Sequence, residues 1–293
     1  ERNSMAQTKT KRKKKRSTGQ PISAAMLLLI FLASLMLLLL LFWMVFHRDD
    51  SPSEQDSAES PVATQTLPPS ELAAECFGTS NGYKTYTSPT ILGTLGIDVS
   101  EHQGSIDWAA VAASDVDYAI IRAGYRGYTD GTTNEDLSFR YNIEGALENG
   151  LEVGIYFFSQ ALNEEEAIAE AKTVLELISG YDIQYPIYYD WEPIDNDTAR
   201  TDTISGTELT NCALAFCQTI EDAGYQAGVY FNLSLAAHLY HLYDLRDYDF
   251  WLAEYQDTPS FPFAIHMWQY TSEGTVPGIS TTVDLNLSFQ KTT

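Results

Sequence analysis

Tyr185-Pro186-Ile187-Tyr188-Tyr189-Asp190-Trp191-Glu192 reads as a short buried strand that ends in two carboxylates one residue apart. Side chains alternate faces along a strand, so Asp190 and Glu192 point the same way, roughly 7 Å apart. Burying an unpaired carboxylate is costly. An apolar strand that finishes in two like charges therefore has a use for them, unless it lies at an edge with both acids in water. Seven further short apolar segments share its character: 96–99, 118–123 and 153–158 before it, then 227–230, 249–253, 264–270 and 282–285 after it. Amphipathic stretches at 106–114, 139–149, 164–178 and 208–223 lie between them, with Asn163 as one cap and Gly150 and Gly180 as two stops. Eight strands with helices between most of them predict an α/β fold over 94–293. The expected form is a compact, TIM-barrel-like parallel (β/α) barrel with some helices short or missing. The alternative is an open doubly wound sheet, but no Gly-rich phosphate turn follows the first strand.

The opening residues differ in kind. Residues 1–21 carry a basic run, Lys9 with Lys11 to Arg16, and 22–46 are apolar apart from Ser23 and Ser34. At 1.5 Å per residue such a helix is about 37 Å long, enough to span a bilayer core with some tilt. Its apolar region is long for a signal peptide and has no evident small-residue cleavage site. With positive charge kept on the cytoplasmic side, a single-pass anchor is expected, N-terminus inside and C-terminus outside, preceding the barrel. Residues 47–93, rich in Ser, Pro, Glu, Thr and Ala, read as a flexible extracellular linker.

Charge divides at the same place. Beyond residue 48 the chain has eight basic against 39 acidic residues, a balance of −31. That surface repels nucleic acid and excludes it as a partner class. Cys76, Cys212 and Cys217 form no disulfide framework. Cys212 and Cys217 sit on diverging faces of one predicted helix, which leaves only a link to Cys76 open. The five histidines are scattered, no Cys/His spacing suggests a metal, and no cofactor motif is present.

In a (β/α) barrel, chemistry collects at the C-terminal ends of the strands. Asp98, Asp190, Glu192 and Asp284 all fall there and would ring one mouth. Paired carboxylates suit glycosidic cleavage, one protonating the leaving oxygen and the other managing the cationic sugar carbon. Tyr156, Trp191, Tyr230, Trp251 and Trp268 are candidates to pack on sugar faces, with core packing as the competing role. Gln269 and Asn232 could bond sugar hydroxyls, and Arg122 could bind a substrate carboxylate or pair with an acid inside the protein.

Gly96-Ile97-Asp98-Val99-Ser100-Glu101-His102-Gln103-Gly104, followed by Ile106-Asp107-Trp108, resembles the opening signature of the glycoside hydrolase family 25 lysozymes, the Chalaropsis-type muramidases. Residues 118–124, the strand ending in Asp190-Trp191-Glu192, Met267-Trp268-Gln269-Tyr270 and Val283-Asp284-Leu285-Asn286 resemble later blocks in order. The resemblance implies hydrolysis of the β-1,4 bond between N-acetylmuramic acid and N-acetylglucosamine. It implies Glu192 as general acid, Asp190 as the residue that stabilises the transition state or orients the substrate acetamido group, and Asp98 and Asp284 as pocket acids. With the anchor, it implies an enzyme tethered to the cell membrane. That enzyme would act on peptidoglycan glycan strands outside its own cell, with a wall of the Gram-positive kind. A silent peptidoglycan-binding module, or a glycosidase for another N-acetylhexosamine polymer, are the alternatives. No protein partner can be named from the sequence.

Overall fold

The computed structural model describes residues 66–195 and 197–292. Among them, eight strands close a barrel: β3 (Ile91–Val99), β4 (Tyr118–Arg126), β6 (Glu152–Ser159), β7 (Ile187–Trp191), β8 (Ala227–Asn232), β9 (Asp249–Ala253), β10 (Met267–Gly274) and β11 (Val283–Lys291), with β3 pairing with both β4 and β11. The helices are α1 (Trp108–Ala112), α2 (Phe139–Glu148), α3 (Glu164–Leu177), α4 (Gly206–Asp222) and α5 (Leu233–His238). Their starts follow side-chain chemistry. Asp107, Asn163 and Asn232 cap α1, α3 and α5, and Ser205 with Glu208 forms a capping box on α4.

The regular alternation of a TIM barrel does not hold to the end. Helices separate the strands from β3 to β9, but among the described residues none lies between β9 and β10 or between β10 and β11. β11 runs antiparallel to both its neighbours. A parallel crossover takes a dozen or more residues, usually helical. The eight residues 275–282 between β10 and β11 include Pro277 and Gly278 and permit only a return hairpin. The architecture is a mixed α/β eight-stranded barrel.

Two smaller strand features lie outside the predicted set. Thr133–Glu135 (β5) pairs antiparallel with the end of β4. Phe77–Ser80 (β1) and Tyr83–Tyr86 (β2) form a hairpin across Asn81-Gly82, whose φ values of 51° and 89° suit a tight primed turn. Residues 66–93 are thus packed where a flexible linker was expected, and the predicted boundary at 94 falls inside β3. The reason is apolar content: Leu67 and Tyr86 are buried, and Phe77 meets Trp268 edge-on with ring centres 5.4 Å apart. The predicted anchor at 22–46 lies outside the described residues. Among the described ones, no helix is long and apolar enough to cross a membrane. Cys76, Cys212 and Cys217 are free thiols, which leaves the possible Cys76 link unmade.

Strand alternation sorts side chains into two cores. One fills the space between barrel and helices. The other fills the barrel itself with Tyr118, Ile120, Tyr185, Tyr188, Tyr230, Trp251 and Met267. Tyr118 and Tyr185 stack at 4.2 Å, and Trp251 meets Tyr188 at 5.0 Å and Tyr230 at 4.8 Å. Such bulk needs bare backbone opposite: a Cβ on Gly96 would overlap the Tyr118 ring, and one on Gly228 the ring of Tyr188. The aromatic fill makes a solid floor for whatever stands above it.

Candidate active site

Above that floor, at the C-terminal mouth, lies a cavity of about 300 Å³. Asp98, Asp190, Glu192 and Asp284 line it together with Arg122, Tyr156, Tyr230, Trp251 and Gln269. Asp98 on β3 and Asp284 on β11 are register partners, which explains how residues 186 positions apart meet. Asp190 is the last inward residue of β7, and Glu192 follows just beyond the strand.

Asp98 is held from two sides. Its Oδ2 accepts Gln269 Nε2 at 2.9 Å and Asn286 Nδ2 at 2.8 Å. Asn286 Oδ1 in turn accepts Trp251 Nε1 at 2.8 Å, and Gln269 Oε1 accepts the hydroxyls of Tyr255 at 2.9 Å and Tyr230 at 3.2 Å. Burial pushes the Asp98 carboxyl well above the usual range, reinforced by Asp284 and opposed by the two amides. Asp190 is also pushed well up, by burial first and then by Glu192 and Asp98, while Arg122 pulls the other way. Among the described residues nothing hydrogen-bonds its buried Oδ1.

Glu192 is partly buried, and its carboxyl is raised to about 7 by desolvation, then by Asp284 and Asp195. Burial lifts Asp284 to about 6. Four acids in one cavity cannot all ionise near neutrality, and the group held at about 7 is suited to giving up a proton there.

Arg122 serves inside the protein. Its Nε donates to Asp136 at 2.7 Å and its Nη2 to Glu101 at 3.3 Å, while its charge still reaches Asp190 from the cavity wall. Asn232 caps α5 through the amide of Leu235. Two predicted contacts are corrected. Trp191 and Trp268 are buried in the outer core, on the far side of their strands from the cavity. Alternation dictates this, since each neighbours an inward residue, Asp190 or Gln269, and Trp268 Nε1 donates to the Glu254 carbonyl at 2.8 Å. His102, Phe158 and Tyr255 line the cavity without having been singled out as contacts. Asn286 was also missed, although its place two residues from Asp284 on the same strand face was a usable signal. Tyr255 lies in a loop beyond β9, where no periodicity marks it. Among the described residues no group of His, Cys, Asp and Glu is arranged to hold a metal ion.

Known proteins share this architecture. The autolytic lysozyme of Clostridium acetobutylicum is 27% identical over 201 residues, covering 65% of this chain and 54% of that protein. The modular autolysin LytC of Streptococcus pneumoniae superposes with a TM-score of 0.61 at 28% identity, covering 73% of this chain and 52% of that one. A family 25 glycosyl hydrolase from Bacillus anthracis gives 0.57 at 22% identity, covering 72% of this chain and 94% of that one, and shows the fold. The chain therefore spans about half the length of the first two. The sequence pattern of Glycosyl hydrolases family 25 matches residues 97–279, more than half of the chain and enclosing Asp98, Asp190 and Glu192, and the chain belongs to that family.

Proposed function

We propose that the chain is a muramidase that hydrolyses the β-1,4 bond between N-acetylmuramic acid and N-acetylglucosamine in peptidoglycan. The observation that carries this is the pairing of Glu192, raised to about 7, with a buried Asp190 whose Oδ1 is left for a substrate donor. Glu192 gives its proton to the glycosidic oxygen as the bond to the sugar C1 breaks. Asp190 accepts the N–H of the neighbouring acetamido group, whose carbonyl oxygen closes on C1. Water then attacks C1, the bond from C1 to the acetamido oxygen breaks to restore the acetamide, and the proton lost by the water returns to Glu192, which restores the acid. Asp98, fixed by Gln269 and Asn286, and Asp284 surround the developing positive charge. Tyr156, Tyr230, Trp251 and Tyr255 offer aromatic surface to the sugar rings. That LytC was solved with a synthetic peptidoglycan ligand, and that the Clostridium relative is an autolytic lysozyme, supports the same substrate here.

The setting is part of the proposal. Residues 22–46 would anchor the chain in the cell membrane with 1–21 inside. Residues 47–65 would serve as a spacer, so that cutting is confined to wall near the membrane and serves local remodelling. The test is digestion of purified peptidoglycan by the full chain beside Glu192→Gln, with products reduced by borohydride and weighed by mass spectrometry. Reduced muramic-acid ends, lost roughly 10²–10⁴-fold in the variant, are expected. Reduced glucosamine ends would move the bond, and binding without new ends would leave a silent wall-binding module.

A further inference from the structure

The chain that leaves Glu192 is held at both ends by one buried side chain, and in between by Tyr128, whose hydroxyl donates to Asp197 at 3.0 Å and whose carbonyl accepts the Arg200 amide at 2.8 Å. β6 ends at Ser159, which pairs with Trp191 across the parallel ladder, and the chain then turns away towards α3. Gln160 is the next residue and is fully buried. Its side chain continues the ladder where the backbone cannot: Nε2 donates to the Glu192 carbonyl at 2.9 Å, one residue past the last strand pair. Its Oε1 accepts the Thr201 hydroxyl at 2.5 Å, and its own carbonyl accepts Arg200 Nη1 at 3.3 Å. Arg200 is clamped in turn by both oxygens of Glu166, each at 2.8 Å. The segment thus starts and ends its excursion on Gln160, which does not itself border the cavity.

We propose that Gln160 is a positioning residue for Glu192, fixing the backbone from which that carboxyl projects and so the point from which its proton is delivered. The inference rests on the reading of Glu192 as general acid. Glu192 stands beyond the end of β7, where no further rung of the β6–β7 ladder restrains it. Pro193, which has no N–H, follows it directly. The Gln160 amide supplies the missing rung. A displacement of about 1 Å in a reacting group can cost roughly 100-fold in rate, so the rung acts on turnover without touching the sugar.

The test uses the full chain with Gln160→Met, which keeps length but neither donates nor accepts through nitrogen or oxygen, and Gln160→Glu, which keeps shape and donates only when protonated. Soluble peptidoglycan oligosaccharides are the substrate. In Gln160→Met, kcat is expected to fall roughly 10–100-fold with KM within about twofold. The alkaline limb of the pH profile should move to lower pH as Glu192 meets more water. Gln160→Glu should recover part of the rate at acid pH and lose it as the new carboxyl ionises. A Gln160→Met protein that melts earlier yet keeps wild-type kcat and limb would overturn the proposal by reducing Gln160 to a packing role. If that variant does not fold, a Gln160→Glu rate that tracks the wild type at every pH overturns it instead. Should the wild type release no reducing ends, the functional reading fails by itself. Gln160 is then judged by carbodiimide coupling to Glu192 across pH, followed by mass spectrometry of its peptide. A midpoint lowered in Gln160→Met supports positioning, and an unchanged one refutes it.

Discussion

Replacing Asp284 by Asn should move the alkaline limb of the pH–rate profile, and the cavity sets how far. Glu192 is raised to about 7 by burial first and by the charge of Asp284 second. Asp284, itself raised to about 6, is mostly ionised where Glu192 titrates. Burial survives the substitution and the charge does not, so the Glu192 carboxyl must become a stronger acid. A cavity of about 300 Å³ is on the order of 8 Å across. A unit charge at that distance in an effective dielectric of about 20–40 contributes roughly 1–2 kcal/mol, or about one pKa unit. The limb should therefore fall from about pH 7 to roughly pH 6, leaving about a tenth of the acid protonated at neutrality instead of about half. The assay is kcat/KM for release of reducing ends from soluble glycan across the pH range, with Asp195→Asn as a control. Asp195 is exposed and third among the causes, so its removal should shift the limb less. The height of the profile is a separate matter, since Asp284 borders the reaction. A limb that stays in place, or moves to higher pH, would refute the electrostatic account of Glu192.

The same acid makes a prediction about stability. The Glu192 carboxyl lies at about 7 in the fold against an ordinary 4.5. The stability this gives is fully present below about pH 4.5 and is lost as pH rises through about 7. Glu192→Gln removes that loss, so at alkaline pH the inactive variant should be more stable by up to about 3 kcal/mol, read by denaturant unfolding; equal or lower stability would contradict the burial argument. Trp191→Phe and Trp268→Phe test the correction of the two tryptophans. Both should leave KM for soluble glycan within about twofold while costing stability, about 1–3 kcal/mol for Trp268, whose indole bond to Glu254 is lost. A severalfold rise in KM without loss of stability would return them to the cleft.

Periodicity carried most of the barrel into view, because β3 to β9 are short apolar runs separated by amphipathic helices with recognisable caps. It failed where hydrophobicity does not alternate with length. Val283 to Lys291 extends a four-residue apolar signal to nine residues by pairing antiparallel with β3, and no helix stands before it to announce the change of direction. The hairpin at 77–86 was hidden by its setting. Ser, Pro and Glu around it read as coil, although the Asn81-Gly82 turn and the aromatic Phe77, Tyr83 and Tyr86 were visible. Composition averaged over 47–93 outweighed a local turn signal that fixes structure by itself.

The acids were legible for a related reason. A carboxylate inside an apolar strand contradicts its surroundings, and a contradiction of that kind is visible in one dimension. The amide that holds Glu192 contradicts nothing: Gln160 follows a strand and precedes a helix cap, where a polar residue is unremarkable. Its role exists only once the register Ser159 to Trp191 is known, because that pairing puts position 160 opposite 192. The same holds for Asn286, which becomes a bridge between Trp251 and Asp98 only because β11 lies between β3 and β10, with β9 next beyond β10. Residues that act by charge can be read from the chain, while residues that act by holding another in place need the pairing that brings them together. Exchanging Gln160 should therefore lower kcat and move the limb through the loss of a backbone rung, while exchanging Asp284 moves the limb through the loss of a charge that the sequence already displays, whatever it does to the height of the profile.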